Sequence, residues 1–367
     1  MSEPYILKDD LFNRETVTEL AKAIQAVHGP FDLEAFVDQC VEGFPTRELK
    51  ERMSHMTLCL HDHLPQDFYQ ATDILKQTCE QTDTNDRFVY GSFSEYVEMY
   101  GCSDQWVDHS LTMLGEYTKV FSAEFAIRKF INQYPDKALA QMHQWAKSKD
   151  HNQRRLASEG LRPKLPWGSG INLDPMKAME PLDFLYYDSE RYVTRSVANH
   201  LNDLSKIHPQ VVIETLERWQ ATGRQNEKEM AYIVSHSTRT LVKRGHQGAL
   251  NLLGYKTGAR IEVEGFVIHT PEIHIGDSIV FDVTIKALED CKLMVDYQVD
   301  YPMAKGKRGQ KVFKLKKVSL QEGQSISMQK KHAFKEMTTK KLYEGDHSVR
   351  LQINGQFHNE GSFYLHV

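Results

Sequence analysis

Three stretches concentrate ionisable side chains on otherwise apolar helices. In VFSAEFAIRKFI (120–131), Ser122 suits an N-cap, which puts Glu124 in a first turn where the helix dipole favours an acid, with Arg128 as its i,i+4 partner. In NQRRLASEGLRPKLPWGSG (152–170), Arg155 and Glu159 are again i,i+4; the helix should stop at Gly160, and Pro163 and Pro166 stiffen a loop that carries Trp167. An indole set between prolines and glycines is poorly placed for core and well placed to press its face on a sugar or base. In YVTRSVANHLNDLSKIHP (192–209), Val193, Val197, Leu201 and Leu204 form one stripe, and Arg195, Asn199, Asn202 and Asp203 share an arc of roughly 100° elsewhere on the helix, a face able to line a groove. Each stretch taken alone has a plainer explanation: a capped helix with a surface ion pair, a Trp plugging a seam between repeats, and a solvated helix face.

A fourth group is basic. MAKGKRGQKVFKLKK (303–317) sets Lys305, Lys307, Arg308 and Lys311 around Gly306 and Gly309, a pattern suited to a hairpin tip that approaches a phosphate backbone or enters a minor groove. Lys330, Lys331, Lys335, Lys340 and Lys341 extend the basic run, although edge-strand lysines that block aggregation would explain part of it. Lys243 and Arg244, in KRGH at a helix end, suit a phosphate or a simple C-terminal cap. His61-Asp62-His63 is a poor metal site, because adjacent residues do not share a helical face and no further ligand pair has fitting spacing. GxGxxG, P-loop, GxSxG and HExxH patterns are absent, so cofactor-dependent redox chemistry and phosphoryl transfer lack their usual handles.

The elements that must position these groups are of two kinds. Through about residue 255 the pattern is helical: LFNRETVTELAKAIQAVHG keeps a period near 3.6, similar segments follow, and breaks fall at Gly29–Pro30, Pro45, Pro65 and Thr82–Asn85. FAIRKFINQYPDKALAQMHQW (125–145) and YVTRSVANHLNDLSKIHPQVVIETLERW (192–219) share aromatic-x-x-Arg, a helix, a proline break and a second helix ending in Trp, and 230–255 reads as a shorter third unit. Such repeats stack into a solenoid with one concave face. From about Lys256 the period becomes two, with inward positions Ile279, Phe281, Val283 and Ile285 and then Leu293, Val295, Tyr297 and Val299. Six or seven short strands without a helix signal predict an immunoglobulin-like β-sandwich. The expected division is a helical repeat domain over 1–256 and a β-domain over 257–367.

Composition bounds the rest. The chain has 367 residues, 26% charged and 40% hydrophobic, which suits a folded protein of about two domains. No apolar run approaches the ~18 residues of a membrane span, the N-terminus lacks a secretory pattern, and five cysteines without CxxC spacing suit reduced thiols in a cytoplasm. Net charge is −5, which on its face disfavours nucleic acid. The average hides an asymmetry: residues 305–341 hold twelve basic side chains against only Glu322 and Glu336.

From RRLASEGLRPKLPW outward the sequence resembles the AlkC-type DNA alkylation repair glycosylases, HEAT-like repeat proteins related to AlkD-type enzymes. FSAEFAIRKFI, YVTRSVANHLNDLSKIHP and RTLVKRGHQGALNLLGY are similar to the family's neighbouring segments, and DYPMAKGKRGQKVFKLKKVSL with FKEMTTKKLYEGDHSVRLQING resembles the C-terminal immunoglobulin-like domain of its longer members. The likeness covers roughly 115–367 in the right order; Leu161 departs from it, where a smaller polar residue is expected. It implies hydrolysis of the N-glycosidic bond of cationic N3-alkylated bases such as 3-methyladenine or 3-methylcytosine, without base flipping and without a cofactor or metal. The base is already a good leaving group, so the barrier lies in the oxocarbenium-like sugar, which carboxylates stabilise. Carried over, the catalytic groups are Glu124, Glu159, Asp203 and Trp167. The groups for DNA are Arg155, which holds a phosphate or the acids, with Arg195, Lys243, Arg244, Lys305, Lys307, Arg308 and Lys311. The implied partner is double-stranded DNA containing alkylated bases, met by a monomer. The alternative is a non-enzymatic helical-repeat scaffold for DNA or protein, but acids on a DNA-facing groove would only weaken a pure DNA clamp.

Overall fold

Short polar caps start the helices. Asn13 and Thr16 form a reciprocal capping box, Asp32, Asp67 and Asp150 accept backbone N–H bonds of the helices they open, and Pro135 and Pro209 occupy first helical positions. The computed structural model describes residues 7–82, 87–335 and 341–367. Within these, helices succeed one another from Leu7–Leu11 to Gln247–Leu252, and strands follow. No described helix is long and apolar enough to cross a membrane.

The two repeat units take the expected form. Ile127–Gln133 is followed by Pro135–Trp145, and Arg191–Leu204 by Pro209–Thr222; Trp145 and Trp219 are both buried. The segment 230–255 holds parts of three helices, Glu227–Ser237, Arg239–Lys243 and Gln247–Leu252, rather than one pair. The helix His151–Glu159 packs on Arg191–Leu204, which packs in turn on Glu227–Ser237. The stripe Val193, Val197, Leu201 and Leu204 is wholly buried, as its spacing requires.

The chain forms two compact units, Met1–Ile207 with Trp219–Ser237, and His208–Arg218 with Thr238–Val367. The second holds a three-stranded sheet, β1 (Ile261–Ile268), β3 (Ser278–Ala287) and β6 (Ser325–Ala333), in the order β1-β3-β6. Its other sheet is ordered β2-β8-β7-β4-β5 and is built from β2 (Glu272–His274), β4 (Cys291–Pro302), β5 (Arg308–Leu320), β7 (Gly345–Ile353) and β8 (Gln356–His366). Ile279, Phe281, Val283 and Ile285 of β3 and Leu293, Val295, Tyr297 and Val299 of β4 all point into the shared core. All pairings are antiparallel except β2 with β8. Sequence reading overlooks two of the strands: β2 has three residues, and β6 (SISMQKKHA) carries only Ile326 and Met328 in alternation before its lysine pair. Met294 on the outer side of β4 packs with Ile213, Leu241, Val242, Ala249 and Leu250, so residues from the preceding helices belong to this unit.

Candidate active site

The site is assembled from three neighbouring elements of the helical unit: the turn before Ile127–Gln133, the helix His151–Glu159 with the loop after it, and the helix Arg191–Leu204. Glu124 lies in that turn. The helix begins at Ile127 with Ala126 as a cap lacking a side-chain bond, so the expected Ser122 N-cap does not form. Ser122 instead donates its hydroxyl to Glu124 Oε2 at 2.9 Å. The expected Glu124–Arg128 pair is also replaced. Arg128 is almost fully buried and donates to the carbonyls of Ser169, Gly160 and Arg162, while Glu124 pairs with Arg155 at 2.6 Å. The physical reason is that Glu124 precedes the helix, so i,i+4 geometry does not apply to it.

Arg155 starts an alternating chain of charges. Its guanidinium bonds Glu124 at 2.6 Å and lies 3.8 Å from Glu159; Arg162 reaches Glu159 at 2.5 Å and Asp203 at 2.8 Å; Lys206 reaches the far oxygen of Asp203 at 2.9 Å. Three carboxylates thus alternate with three cations, and Glu159, Arg162 and Asp203 are buried. Burial alone would raise the Glu159 pKa, but Arg155, Arg162 and the Ser196 hydroxyl at 2.6 Å outweigh it and hold Glu159 below the ordinary carboxylate range. Glu124 differs in one respect: both bonds go to Oε2, and no hydrogen bond among the described residues reaches Oε1.

Arg162 is the principal group that sequence reading misses. The helix stops at Gly160 as expected, with the glycine as its C-cap, but the cap keeps a right-handed backbone (φ −63°), so Arg162 still reaches Glu159 three residues back. The glycine serves close packing instead, since a Cβ there would meet Ile127 Cγ2 at 2.8 Å and Met142 Cε at 2.9 Å. Leu161 is buried. Ser196 and Lys206 carry no signal of their own in the sequence, because only their partners suggest a role.

Trp167 is 67% exposed and has a left-handed backbone, φ +62°, unusual for a residue with a side chain. Lys50 Nζ holds its carbonyl at 2.6 Å, Arg128 and Asn132 hold the carbonyls of Ser169 and Gly170, and Leu165 is buried beneath. A cleft of about 400 Å³ runs over Phe121, Glu124, Arg155, Glu159, Trp167 and Tyr192. Of the expected site residues, Glu124, Arg155, Glu159 and Trp167 come together there. Asp203 does not line the cleft and joins it through Arg162. Arg195 is exposed, 5.9 Å from the centre of the Tyr192 ring, whose face is covered by Arg155 at 4.6 Å.

In the second unit Lys305, Lys307, Arg308 and Lys311 are exposed around the β4–β5 hairpin, where Lys305 and Gly306 take positive φ of 59° and 70°. Lys330 and Lys331 lie on β6 in the other sheet, whose His332 ring meets that of Phe313 on β5 with centroids 4.6 Å apart. Lys340 lies outside the described residues. Lys243 and Arg244 are exposed where the helix Arg239–Lys243 ends, and the Arg244 backbone N–H closes that end.

Residues 262–367 match the family described as uncharacterised protein YhaZ, C-terminal Ig-like domain. The chain is 33% identical over 360 residues to the uncharacterised protein YhaZ of Bacillus subtilis (strain 168), covering 97% of this chain and 98% of that protein. It also superimposes on the Pseudomonas fluorescens alkylpurine DNA glycosylase AlkC, solved bound to DNA containing an abasic site analogue, with TM-score 0.90 and 33% identity over 99% of this chain and 100% of that one. The chain belongs to the AlkC-type family. Its fold is the one the resemblance implied, helices followed by an immunoglobulin-like sandwich. In this AlkC-type chain the cleft between Glu124 and Trp167 is open to solvent on the aromatic side and backed by buried ion pairs on the other.

Proposed function

We propose that this protein is a DNA glycosylase that hydrolyses the N-glycosidic bond of cationic N3-alkylated bases, 3-methyladenine and 3-methylcytosine among them. The observation that carries the reading is the exposed Trp167 set in one cleft with the carboxylates of Glu124 and Glu159. The indole offers a face to deoxyribose, and the acids supply negative charge where the sugar becomes oxocarbenium-like. Water oxygen bonds to C1′, the glycosidic electron pair leaves with the base and cancels its charge, and the water proton passes to a carboxylate. Glu124 is suited to orient that water through its unengaged Oε1, while Glu159, fixed by Arg155, Arg162 and Ser196, acts as a stationary charge. The cationic base supplies its own leaving-group activation, so the reading needs neither a cofactor nor base flipping. The protein works as a monomer on double-stranded DNA, with the exposed cations of Arg195, Lys243, Arg244 and the β4–β5 hairpin for phosphates.

The test is base release from a panel of methylated oligonucleotides by wild type, Glu124→Gln, Glu159→Gln and Asp203→Asn. Wild type should release 3-methyladenine, and Glu124→Gln and Glu159→Gln should lose roughly 100-fold or more in rate while retaining DNA affinity. DNA binding without release from any methylated substrate would instead leave a non-enzymatic scaffold.

A further inference from the structure

Leu165-Pro166-Trp167-Gly168 is a turn closed by the Gly168 N–H on the Leu165 carbonyl at 3.2 Å. Pro166 suits the second place of a β-turn, and the left-handed third place, φ +62°, ordinarily goes to glycine. Here that place holds an indole that is mostly exposed and packs little against the turn. Something else must select this backbone over the wells that a residue with a Cβ prefers.

The bond that does so comes from far away in the chain. Lys50, on the helix Leu49–His63, lies 117 residues before Trp167 and donates from Nζ to the Trp167 carbonyl at 2.6 Å. That carbonyl belongs to the peptide joining Trp167 to Gly168, so holding it fixes the rotation of the Trp167 backbone. The next two carbonyls are also held, Ser169 by Arg128 and Gly170 by Asn132 at 2.9 Å. Both of those anchors lie beyond Gly168, a residue able to absorb a rotation upstream of it. Among the described residues no other side chain hydrogen-bonds the backbone of residues 166–168.

The same ammonium stands 4.4 Å from the centre of the Phe125 ring, and Phe125 and Trp167 both line the active cleft. Glu95 and Glu98 are near enough for the charge of Lys50 to work against the rise that burial gives their pKa values. Neither forms an ion pair with it among the described residues, and Glu95 takes the Ser54 hydroxyl at 2.5 Å instead. One charge therefore ties two aromatic walls of the cleft to a helix that supplies none of its acids. Lys50 is exposed, and a single exposed bond contributes little to folding; its effect falls on where the indole sits.

We propose that Lys50 is a positioning residue of the active cleft, fixing the peptide after Trp167 and the Phe125 ring so that the indole keeps the pose that meets deoxyribose. The catalytic consequence rests on the glycosylase reading; the placement of the indole does not.

The experiment labels the full-length protein with fluorotryptophan and records fluorine spectra of wild type, Lys50→Met and Lys50→Arg, with Trp167→Gly identifying the Trp167 line among the four tryptophans. Met keeps an apolar stem without the charge, and Arg restores a cationic donor. In Lys50→Met the Trp167 line should change width, because an indole released from one pose either moves fast or exchanges between poses. The other three lines and the melting temperature should stay as in wild type, and Lys50→Arg should restore the width. Base release from methylated duplex at saturating DNA should fall roughly tenfold in Lys50→Met, with affinity unchanged, and recover in Lys50→Arg. On top of Trp167→Gly, Lys50→Met should cost nothing more. A Trp167 line of unchanged width, even one shifted by loss of the charge, overturns the proposal. So does a loss confined to DNA affinity, which would make Lys50 a phosphate contact, and so does a loss of rate that persists in full without the indole. A changed width with the wild-type rate of release also overturns it and leaves the glycosylase reading intact. If wild type releases no base from any methylated duplex, the glycosylase reading falls, and a changed width still upholds Lys50 as the group that places the indole.

Discussion

At the residue scale the site is held by one side chain that the sequence conceals. Arg162 bonds Glu159 at 2.5 Å and Asp203 at 2.8 Å, with 9% of its side chain exposed. Burial opposes its charge, yet the two acids more than restore it, so its pKa is raised. Removing one partner of a buried ion pair strands the other, so Arg162→Met should lower stability by roughly 3–5 kcal/mol in urea unfolding. Base release should fall as well, because Glu159 loses its anchor. His200, on the same helix as Asp203, gives a pH signature. It is fully buried, its Nδ1 donates to the Ser158 carbonyl at 3.0 Å, and burial lowers its pKa from 6.5 to about 4, the Ser158 bond opposing and Arg162 assisting. Between those values the unfolded chain takes up a proton that the folded chain refuses, so stability falls as the pH falls through that window, by about 3 kcal/mol in all. His200→Gln should flatten the melting temperature between pH 6.5 and pH 4, measured by thermal melts across that range; an unchanged slope would assign the acid sensitivity to other groups.

At the scale of elements, the loop after His151–Glu159 exchanges backbone strain for display. A left-handed backbone at a residue with a Cβ costs about 1 kcal/mol, and Trp167 bears that strain with only a third of its side chain covered. Trp167→Gly should therefore match or exceed wild-type stability by up to about 1 kcal/mol, while base release falls roughly tenfold or more because the indole face is gone. A parallel loss of stability and activity would mean that the indole packs as structure. The same elements show how much is legible in the chain. Period and proline placement give both helix pairs, the buried stripe of Arg191–Leu204 and the inward faces of β3 and β4, because those follow from burial alone. The pairing of Glu124 with Arg155 and the bridge by Arg162 are not legible. The first joins a pre-helical turn to a helix about thirty residues later, and the second starts from a residue beyond the helix end, where the Gly160 cap keeps a right-handed backbone, and reaches a helix about forty residues on. Spacing rules describe neighbours on one helix, and both contacts turn on where helices end.

At the scale of the whole chain, the net charge of −5 is an average over two units with different tasks. The helical unit sets Glu124 and Glu159 on the cleft and neutralises them, with Asp203 behind, in the chain from Glu124 to Lys206, which holds three acids and three cations. Glu124 Oε1 is the carboxylate oxygen of that chain which no hydrogen bond among the described residues reaches on the cleft. Attraction for DNA has to come from cations free of such pairing, and the β4–β5 hairpin has them, all exposed. Cutting the chain at residue 257 would be a poor test of this, because Leu241, Val242, Ala249 and Leu250 form one cluster with Met294 and the truncation would split a compact unit. Gly245 and Gly355, both at positive φ, lie back to back there, and a Cβ on Gly245 would sit 2.5 Å from the Gly355 carbonyl oxygen. Replacing Lys305, Lys307, Arg308 and Lys311 with Gln leaves that packing intact, since all four are exposed. For every phosphate that one of these cations neutralises, its removal should reduce the slope of log affinity against log salt by about 0.9. The quadruple variant should thus bind duplex DNA more weakly at every salt concentration and with a shallower slope, equally for methylated and intact duplexes. At saturating DNA its rate of base release should equal that of wild type, because none of the four lines the cleft. A fall in that saturated rate with the slope unchanged would place the hairpin in the chemistry and not in the attraction.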